Sequence, residues 1–582
     1  MSLVTERTSI TGRRGRRARV IRRLLAAIAV GGAAVGLFAC YLRLSATFPV
    51  GSDGASNALE AWDLLHGNWL LRGWTLTDVS FYTTELPEYA VVELARGLHP
   101  DVVHISAAIT YTLLVLTAAA LARGRASGRE GWARALIAAG IMLAPQLGNG
   151  VHVLLAQPDH VGTQVLLLAI FLLVDRAPRR WYTVAAFWVL LTAAVVADKI
   201  AIVDAAVPLA SVGALHAVWA SNGRSGWRAD GQGGRPGRSL AEGAAGVLGR
   251  RWFELSLAVV ACLAVGAAQL ITTGISRFGG FILLPVETGV VAPDRVPGHL
   301  SMTLQDTLNL FGGDVGVAQP GPQTVFAWLH APGIVLAAAA FGLAVRRVPY
   351  REDLISDVLA VGLVVNLADF VASTIPATPF DARELAAALP YGAVLAGRVF
   401  GPRLGGDRSR LRRGGGWLGR LRPGVVALTL AGVCQLTALG YEATRPAAVS
   451  PEQALAGWLA ARHLTTGLGT YTESNCTTLA SGGAVRMLTV SWRTAHAGGT
   501  VARLYQSSAS WYDPRTADAN FVVTGTADGT ADLIPRAEIL ALAGPPARTY
   551  QFESFTIMVW NKNLLTLLAS PPSRTPGDIG HL

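Results

Sequence analysis

Charged residues are scarce in this sequence. Asp, Glu, Lys and Arg make up 15% of the 582 residues, whereas they make up about 25% of an average soluble domain. Hydrophobic residues make up 51%, and the mean hydropathy is +0.40. This composition excludes an ordinary soluble protein and predicts a polytopic membrane protein.

Cysteine is also rare. The four cysteines are Cys40, Cys262, Cys434 and Cys476, and the first three lie inside apolar runs. The sequence has no Cys-x-x-Cys pair and no Cys/His spacing of the kind that binds zinc. A zinc site and a disulfide framework are therefore not expected, and the three cysteines in apolar runs are interpreted as packing residues.

Lysine is almost absent, since it occurs only at positions 199 and 562, so the net charge of +11 is carried by arginine. The arginines cluster in short blocks between apolar runs, such as "RRGRRARVIRR", "RAPRR" and "RLGGDRSRLRRGGGWLGRLR". This is the pattern of the positive-inside rule, in which cytoplasmic loops carry the basic residues. The basic charge therefore indicates membrane topology, and nucleic acid is not expected as a partner.

A membrane-spanning helix needs about 20 apolar residues, and the sequence contains about eleven such runs. With the arginine blocks in the cytoplasm, the N-terminus is cytoplasmic, and the segments 45–100, 275–324, 374–383 and 443–582 lie outside. The predicted spans are 21–44, 101–122, 133–154, 160–175, 181–197, 200–219, 253–274, 325–345, 353–373, 384–401 and 424–442.

The chain divides into three predicted parts. Residues 1–20 form a basic cytoplasmic tail, and residues 21–442 form a transmembrane domain whose first span is a retained anchor. The Gly/Arg-rich stretches 220–252 and 403–422 are predicted to be flexible cytoplasmic loops.

After residue 443 the pattern changes. "QALAGWLAARHL" has helical spacing, whereas "AVRMLTVSW", "ANFVVTG" and "FTIMVWN" are strand-like runs between turn signals. Residues 443–582 are therefore predicted to form a small extracytoplasmic α/β domain. The predicted fold class is mostly α, a polytopic helical membrane protein with this domain at its C-terminal end.

The first external loop, 45–100, opens with "FPVGSDGASNALEAWDLLHGNWLLRGW". If this stretch is helical, Asp53, Asn57 and Glu60 share one face because they are spaced four and three residues apart. The pattern is typical of a helix that lies along the membrane surface. Three tryptophans suit the headgroup level, namely Trp62, Trp69 and Trp74.

Two interpretations of Asp53 stay open. Because it follows "GS" at the start of the helix, it is suited to cap the helix N-terminus. Alternatively, it is a catalytic base or a metal-binding carboxylate that faces a cavity at the outer membrane boundary.

Other polar residues collect at the outer ends of the predicted spans. Transporters tend to bind their coupling ions near the membrane midplane, so this placement favours chemistry at the outer boundary. Each residue also has a local explanation, such as a helix cap at Asp159 or an ion pair between Asp198 and Lys199. The residues are Asp159, His160, Asp198, Lys199, Asp204, Asp369, Asp381, Arg383 and Glu384.

The layout resembles the polytopic GT-C glycosyltransferases, which include the protein O-mannosyltransferase and aminoarabinose-transferase group. The resemblance rests on a first span, a long external loop that opens with an acid, many further spans and an external α/β tail. It implies a polyprenyl-phosphate-linked sugar donor. It also implies that Asp53 acts as a base or binds a divalent metal such as Mg or Mn. The group often has two adjacent acids at this point, whereas here Gly54 follows Asp53.

The segment "FDARELAAALPYGAVLAGR" resembles the late external loop of the same group, where a basic residue meets the donor phosphate. Arg383 is the candidate for this role, since a guanidinium fork suits phosphate oxygens. The predicted substrate-binding residues are Arg383, Asp159, His160, Glu60 and Asp381.

The predicted function is an integral membrane glycosyltransferase that moves a sugar from a lipid-linked donor to a cell-envelope glycan or protein. The predicted location is the plasma membrane, with membrane lipids as further partners. Two alternatives stay open: a non-catalytic protein of the same fold that acts in envelope assembly, and a transporter or flippase.

Overall fold

The computed structural model describes residues 3–146, 148–219, 240–285, 289–313, 322–350, 353–376, 378–405, 423–493, 499–502, 505–525 and 536–568. These parts of the chain are mostly helical, as the long apolar runs predict. The helices up to residue 442 are α1 Leu3–Ser45, α2 Ser52–Leu65, α3 Glu85–Arg96, α4 Asp101–Arg123, α5 Gly128–Met142, α6 Asn149–Leu155, α7 Asp159–Arg176, α8 Trp181–Ala197, α9 Val207–Trp219, α10 Leu240–Arg277, α11 Val296–Leu310, α12 Pro322–Arg347, α13 Leu354–Ala372, α14 Ala388–Gly405 and α15 Pro423–Glu442.

Among the described residues, five helices are long and apolar enough to cross a membrane, and all five coincide with predicted spans. They are Leu24–Ser45 within α1, Asp101–Arg123, Trp252–Arg277, Thr324–Tyr350 and Leu354–Ala372. Two shorter apolar helices are Trp181–Ala197 and Ile202–Val218. The helices support a multi-pass membrane protein, whereas the total of about eleven spans and their orientation stay predictions.

The predicted span 133–154 is wrong as a continuous helix. The chain forms α5, leaves helical geometry after Met142 and resumes helical geometry as α6. Pro145 has no backbone N–H to donate, and Gly148 has a φ of +102°, a conformation that residues with a side chain rarely adopt. The break places α6 against the 3-10 helix Pro379–Leu385, next to the candidate site.

The Gly/Arg-rich stretches fall largely outside the described residues, over 220–239 and 406–422. The loop prediction is wrong for 240–252, which belongs to α10. This stretch lies beyond the last proline of the region, and its Ala, Leu, Glu and Arg residues are strong helix formers. At the other end of the chain, the basic segment that precedes the first span continues the same helix, α1.

The helix predicted at the start of the first external loop is present as α2. It is buried in the protein and does not expose a polar face to solvent, while its place along the membrane surface stays a prediction. Residues 54–61 are buried, and α2 packs against α3 and α4. Trp74 is only 1% exposed and donates its indole N–H to Asp63 Oδ2 at 2.7 Å, whereas Trp69 is 69% exposed. The period of a sequence cannot distinguish a polar face that meets solvent from one that meets another domain.

The described part of residues 443–582 is an α/β unit, as predicted, while its location outside the membrane stays a prediction. Its sheet has the order β5-β4-β3-β7-β9-β8, in which β3 pairs parallel with β4 and β7 and the other pairs are antiparallel. The helical run quoted above is α16, and the strand-like runs are β4, β7 and β9. The elements are α16 Pro451–Ala460, β3 Thr466–Gly469, α17 Tyr471–Ala480, β4 Arg486–Arg493, β5 Gly499–Ala502, β7 Phe521–Gly525, α18 Arg536–Ala543, β8 Arg548–Phe552 and β9 Phe555–Val559.

Two contacts join this C-terminal domain to the first external loop. Helix α17 packs against α2. A small sheet of β1 Trp74–Leu76, β2 Ile282–Leu283 and β6 Ser507–Ser508 joins the loop, the segment after α10 and the C-terminal domain. The polar face of α2 therefore lies at the junction of the two parts of the molecule.

Candidate functional site

Asp53 lies in the first turn of α2, after the N-cap residue Gly51. Its Oδ2 is 3.0 Å from Nη1 of Arg383, and its Oδ1 accepts a hydrogen bond from the hydroxyl of Tyr471. The side chains of Asp53 and Arg383 are 22% and 30% exposed. Both oxygens of Asp53 therefore reach groups outside its own helix, which argues against the simple helix-cap interpretation.

Arg383 belongs to the 3-10 helix Pro379–Leu385, 330 residues after Asp53. Its guanidinium carbon is 4.6 Å from the ring centre of Phe380, a cation–π distance. Burial acts to lower the pKa of Arg383, but the nearby carboxylates, Asp53 first, outweigh burial and raise it. The side chain is thus a fixed positive charge beside the candidate base.

Asp381 starts the same 3-10 helix through a capping box. Its Oδ2 accepts a hydrogen bond from the backbone N–H of Thr378 at 2.7 Å and another from the Thr378 hydroxyl at 3.1 Å. Such a box fixes the start of the helix that carries Arg383. Its predicted role in binding substrate stays a prediction.

Glu60 lies two turns after Asp53 on α2 and is buried. Its Oε1 is 3.0 Å from the hydroxyl of Ser56. Burial, together with the charges of Asp53 and Asp63, outweighs the effect of the Ser56 hydrogen bond and raises the pKa of Glu60 to about 8. At neutral pH this side chain is therefore mostly a neutral acid, and its predicted contact with substrate stays a prediction.

His160 lies in the first turn of α7 and connects two acids of other segments. Its Nδ1 is 2.7 Å from Asp198 Oδ2, and its Nε2 is 3.2 Å from Glu384 Oε1. Glu384 in turn lies next to Arg383, whose Nε is 3.9 Å from Glu384 Oε1. His160 and Asp198 are almost fully buried, so this charged cluster is part of the wall of the site. Asp198 therefore pairs with His160, and not with its chain neighbour Lys199 as the local explanation assumes.

Asp159 is also buried, and its Oδ2 accepts a hydrogen bond from Gln157 Nε2 at 2.6 Å. The other end of the same amide, Gln157 Oε1, accepts the backbone N–H of Gly54 at 3.0 Å. Gln157 therefore joins the start of α7 to the start of α2. The structure brings all of Asp53, Arg383, Asp159 and His160 to one place.

A cavity of about 520 Å³ lies next to Asp198: its lining includes the chain neighbours Ala197 and Lys199, whereas Asp53, Arg383, Asp159 and His160 are not among its lining residues. Its wall includes the apolar residues Val195, Val265 and Ala268, and its rim includes the exposed cations Lys199 and Arg277. Asp78 also lines the cavity, and burial raises its pKa while the charges of His160, Glu384 and Asp198 act on it as well. The charges of the His160 cluster therefore act on a residue that lines the cavity.

Sequence reasoning did not find Tyr471, Arg277 or Asp78. Arg277 follows a predicted span on its predicted external side, where the positive-inside rule disfavours arginine. That exception could have singled it out. Tyr471 is an ordinary helix-start residue in sequence, and it reaches Asp53 only through the docking of α17 on α2.

The resemblance allows a divalent metal at Asp53. Within the described ranges, no three or more His, Cys, Asp or Glu side chains are grouped so that they could hold a metal ion. The positive charge of Arg383 at 3.0 Å also opposes a cation at Asp53. These residues do not fit a metal site, and the mechanism below uses none.

No protein-family model matches the sequence, and no curated protein matches it. Several solved structures are similar to it. One is the oligosaccharyltransferase of Archaeoglobus fulgidus in complex with Zn and sulfate, with 12% identity, a TM-score of 0.45 and coverage of 84% of this chain and 67% of that chain. Another is the same organism's AglB with an inhibitory peptide and a dolichol-phosphate, with 11% identity, a TM-score of 0.42 and coverage of 84% and 69%.

A third similar structure is ArnT from Cupriavidus metallidurans bound to undecaprenyl phosphate. It has 13% identity, a TM-score of 0.46 and coverage of 94% of this chain and 99% of that chain. All three TM-scores are below 0.5, so no argument about the site is drawn from them. Identities of 11–13% with these TM-scores do not assign the chain to a family.

Proposed function

We propose that this protein is a membrane glycosyltransferase that takes a sugar from a polyprenyl-phosphate donor and transfers it to a hydroxyl of a cell-envelope glycan or protein. Asp53 acts as the base. The observation that carries the proposal is the ion pair of Asp53 and Arg383. It connects through Glu384 and His160 to Asp198, the chain neighbour of Lys199 in the lining of a cavity with apolar walls and a cationic rim.

The cavity has the two properties that a lipid-linked phosphate needs. Val195, Val265 and Ala268 offer an apolar wall to a prenyl chain. Lys199 and Arg277 offer positive charge to the phosphate, and arginine can bind two of its oxygens at once. In the proposed arrangement, the sugar extends from the phosphate at the cationic rim toward Asp53.

The proposed reaction is a displacement at the anomeric carbon. Asp53 takes the proton of the acceptor hydroxyl, and the acceptor oxygen forms a bond to the anomeric carbon. The bond between that carbon and the phosphate oxygen breaks, and its electron pair leaves with the phosphate. The cations stabilise the charge that develops on the leaving phosphate.

Asp53 can perform this step while it keeps its present partners. An ionised carboxylate has about four lone-pair positions, of which Arg383 and Tyr471 use two. Its side chain is still 22% exposed, so an acceptor hydroxyl can reach it. Arg383 holds the carboxylate in one orientation.

The test is transfer from radiolabelled polyprenyl-phosphate sugars by membranes that contain the protein. Asp53→Asn should lower the turnover by about 100-fold or more, which is the usual size of a lost general base. Asp101→Asn is the matched control, because Asp101 is a half-exposed acid at the first residue of α4, directly after the same external loop. Equal turnover in Asp53→Asn and the wild type would remove Asp53 from the mechanism.

One observation favours the non-catalytic alternative. Both oxygens of Asp53 already have partners, as expected of a residue whose role is to hold α2, the 3-10 helix and α17 together. In that case the wild type would bind the lipid phosphate in membranes and form no transfer product. A transporter or flippase would instead accumulate substrate in sealed vesicles without any covalent product.

A further inference from the structure

The first residue of α17, Tyr471, connects the C-terminal domain to the candidate base. Its hydroxyl contacts both Asp53 Oδ1 and the side-chain amide of Gln506. A phenol carries one proton. If that proton goes to the carboxylate, the Gln506 amide must present its NH₂ group to the phenol oxygen, since the hydrogen-bond network decides which end of a side-chain amide is the oxygen. The contacts then run in one direction, from Gln506 through Tyr471 to Asp53.

Gln506 is itself held tightly. It is buried, and its φ of +46° is a left-handed conformation that is uncommon for a residue with a side chain. Its backbone carbonyl accepts hydrogen bonds from Ser56 Oγ and from Asn475 Nδ2, both at 3.2 Å. The next residue, Ser507, pairs with Thr75 in the small sheet. The surroundings thus fix the one conformation in which the amide reaches Tyr471.

Ser56 also contacts Glu60, and the direction in which the Ser56 hydroxyl donates determines whether that acid must be protonated. The Ser56 hydroxyl is 3.0 Å from Glu60 Oε1 and 3.2 Å from the Gln506 carbonyl oxygen. The hydroxyl has one proton, and a carbonyl oxygen can only accept. If Ser56 donates to Gln506, then Glu60 must donate to Ser56 and is a neutral acid. Its burial next to Asp53 and Asp63 agrees with this state.

The side chains that connect in this way are the relay residues: Glu60, Ser56, Gln506 and Tyr471. We propose that the relay residues are positioning residues, through which the C-terminal domain holds the carboxylate of Asp53 in its working orientation. The catalytic meaning of this inference rests on the proposed function, whereas the hydrogen-bond relay does not. The C-terminal domain is then a component of the site and not a separate module.

The first test does not depend on transfer activity. The melting temperature in detergent is measured for Tyr471→Phe, Asp53→Ala and the double variant. A direct hydrogen bond predicts that the double variant loses less than the sum of the two single losses. The control pair is Tyr512→Phe with Asp53→Ala, which should be additive, since the Tyr512 hydroxyl donates to the Thr489 carbonyl at 2.7 Å. Additive losses in the Tyr471 pair would overturn the relay.

The second test asks whether Glu60 is a donor. A Gln side chain at position 60 can donate its amide N–H to Ser56, whereas Ala cannot. The melting temperature of Glu60→Gln should therefore stay near the wild-type value, and that of Glu60→Ala should fall. If the melting temperature of Glu60→Gln falls as far as that of Glu60→Ala, then Glu60 is ionised in the wild type and does not donate to Ser56, which contradicts the relay.

The third test measures transfer. Tyr471→Phe should lower kcat about tenfold or more and leave KM for the lipid donor unchanged, while Tyr512→Phe keeps both values. An active wild type with a fully active Tyr471→Phe variant overturns the positioning role. An inactive wild type overturns the proposed function instead, and the melting-temperature cycle still decides whether the relay exists.

Discussion

The backbone N–H of Gly54 donates a hydrogen bond to the side-chain oxygen of Gln157 at 3.0 Å, and that oxygen lies 3.0 Å from the place where a Cβ at position 54 would stand. The same Cβ would lie 2.8 Å from Cγ1 of Val103. Position 54 therefore faces packed side chains and not the side of α2 on which Asp53 meets Arg383. A second acid next to Asp53 has no room here, which explains how this chain departs from the pattern of the family it resembles.

This packing predicts that Gly54→Asp destabilises the protein by about 1–3 kcal/mol or more, because overpacking is joined by a buried charge. The variant should melt at a lower temperature in detergent, and it should not gain transfer activity. Gly266→Ala is the matched control, since a Cβ there meets nothing within 4 Å. A Gly54→Asp protein that melts like the wild type would show that α2 can move away from Gln157.

The sequence predicted well those features that repeat along the chain. Apolar runs located the long helices, and strand-like runs such as "ANFVVTG" located β7. The break between α5 and α6 was missed because its apolar residues continue through Pro145, and the local composition outweighed a single proline. Hydrophobic period alone does not show where a helix stops inside an apolar region.

The candidate site was harder to predict because its pairs are distant in sequence. Asp53, Arg383 and His160 were selected by residue type and by their place at span ends. Their pairings were not predicted, since Tyr471 is 418 residues from Asp53, and Asp198, whose local explanation was an ion pair with Lys199, is 38 residues from His160. Such pairs depend on how α17 and the 3-10 helix dock, and docking is a property of the folded chain.

Lys199 and Arg277 at the cavity rim should determine the affinity for the lipid donor. Replacing either with Gln removes a charge-assisted contact to phosphate, worth about 1.5–3 kcal/mol. KM for the polyprenyl-phosphate sugar should therefore rise about tenfold or more. Lys562→Gln is the control, because it removes the other lysine of the chain from an exposed position in the C-terminal domain. An unchanged KM in both rim variants would place the donor elsewhere.

His160 should be more important for stability than its size suggests. Its replacement by Ala leaves Asp198, which is 1% exposed, without its 2.7 Å partner, and it also removes a partner of Glu384. Removing one member of a buried ion pair costs about 3–5 kcal/mol. The melting temperature of His160→Ala should fall by several degrees, whereas His99→Ala, at a half-exposed position, should be close to the wild type. A stable His160→Ala protein would mean that Asp198 takes up a proton or another partner.

Glu60 should make the protein less stable as the pH rises. Its pKa in the folded chain, about 8, is above its ordinary value of 4.5, because burial disfavours the carboxylate. The folded state therefore holds the proton more tightly, and its stabilising effect is complete below about pH 4.5 and is lost as the pH rises through 8.

The measurement is the melting temperature in detergent from pH 5 to pH 8, for the wild type and for Glu60→Gln, which cannot titrate at this position. As the pH rises, the wild type should lose stability relative to Glu60→Gln, by a free energy of unfolding on the order of a few kcal/mol. Glu88 and Glu93 titrate in the same direction, with pKa values raised by burial to about 7 and about 9. They are present in both proteins, so the difference isolates Glu60. Parallel curves would mean that Glu60 is ionised throughout, and that Ser56 gives its proton to Glu60 and not to Gln506.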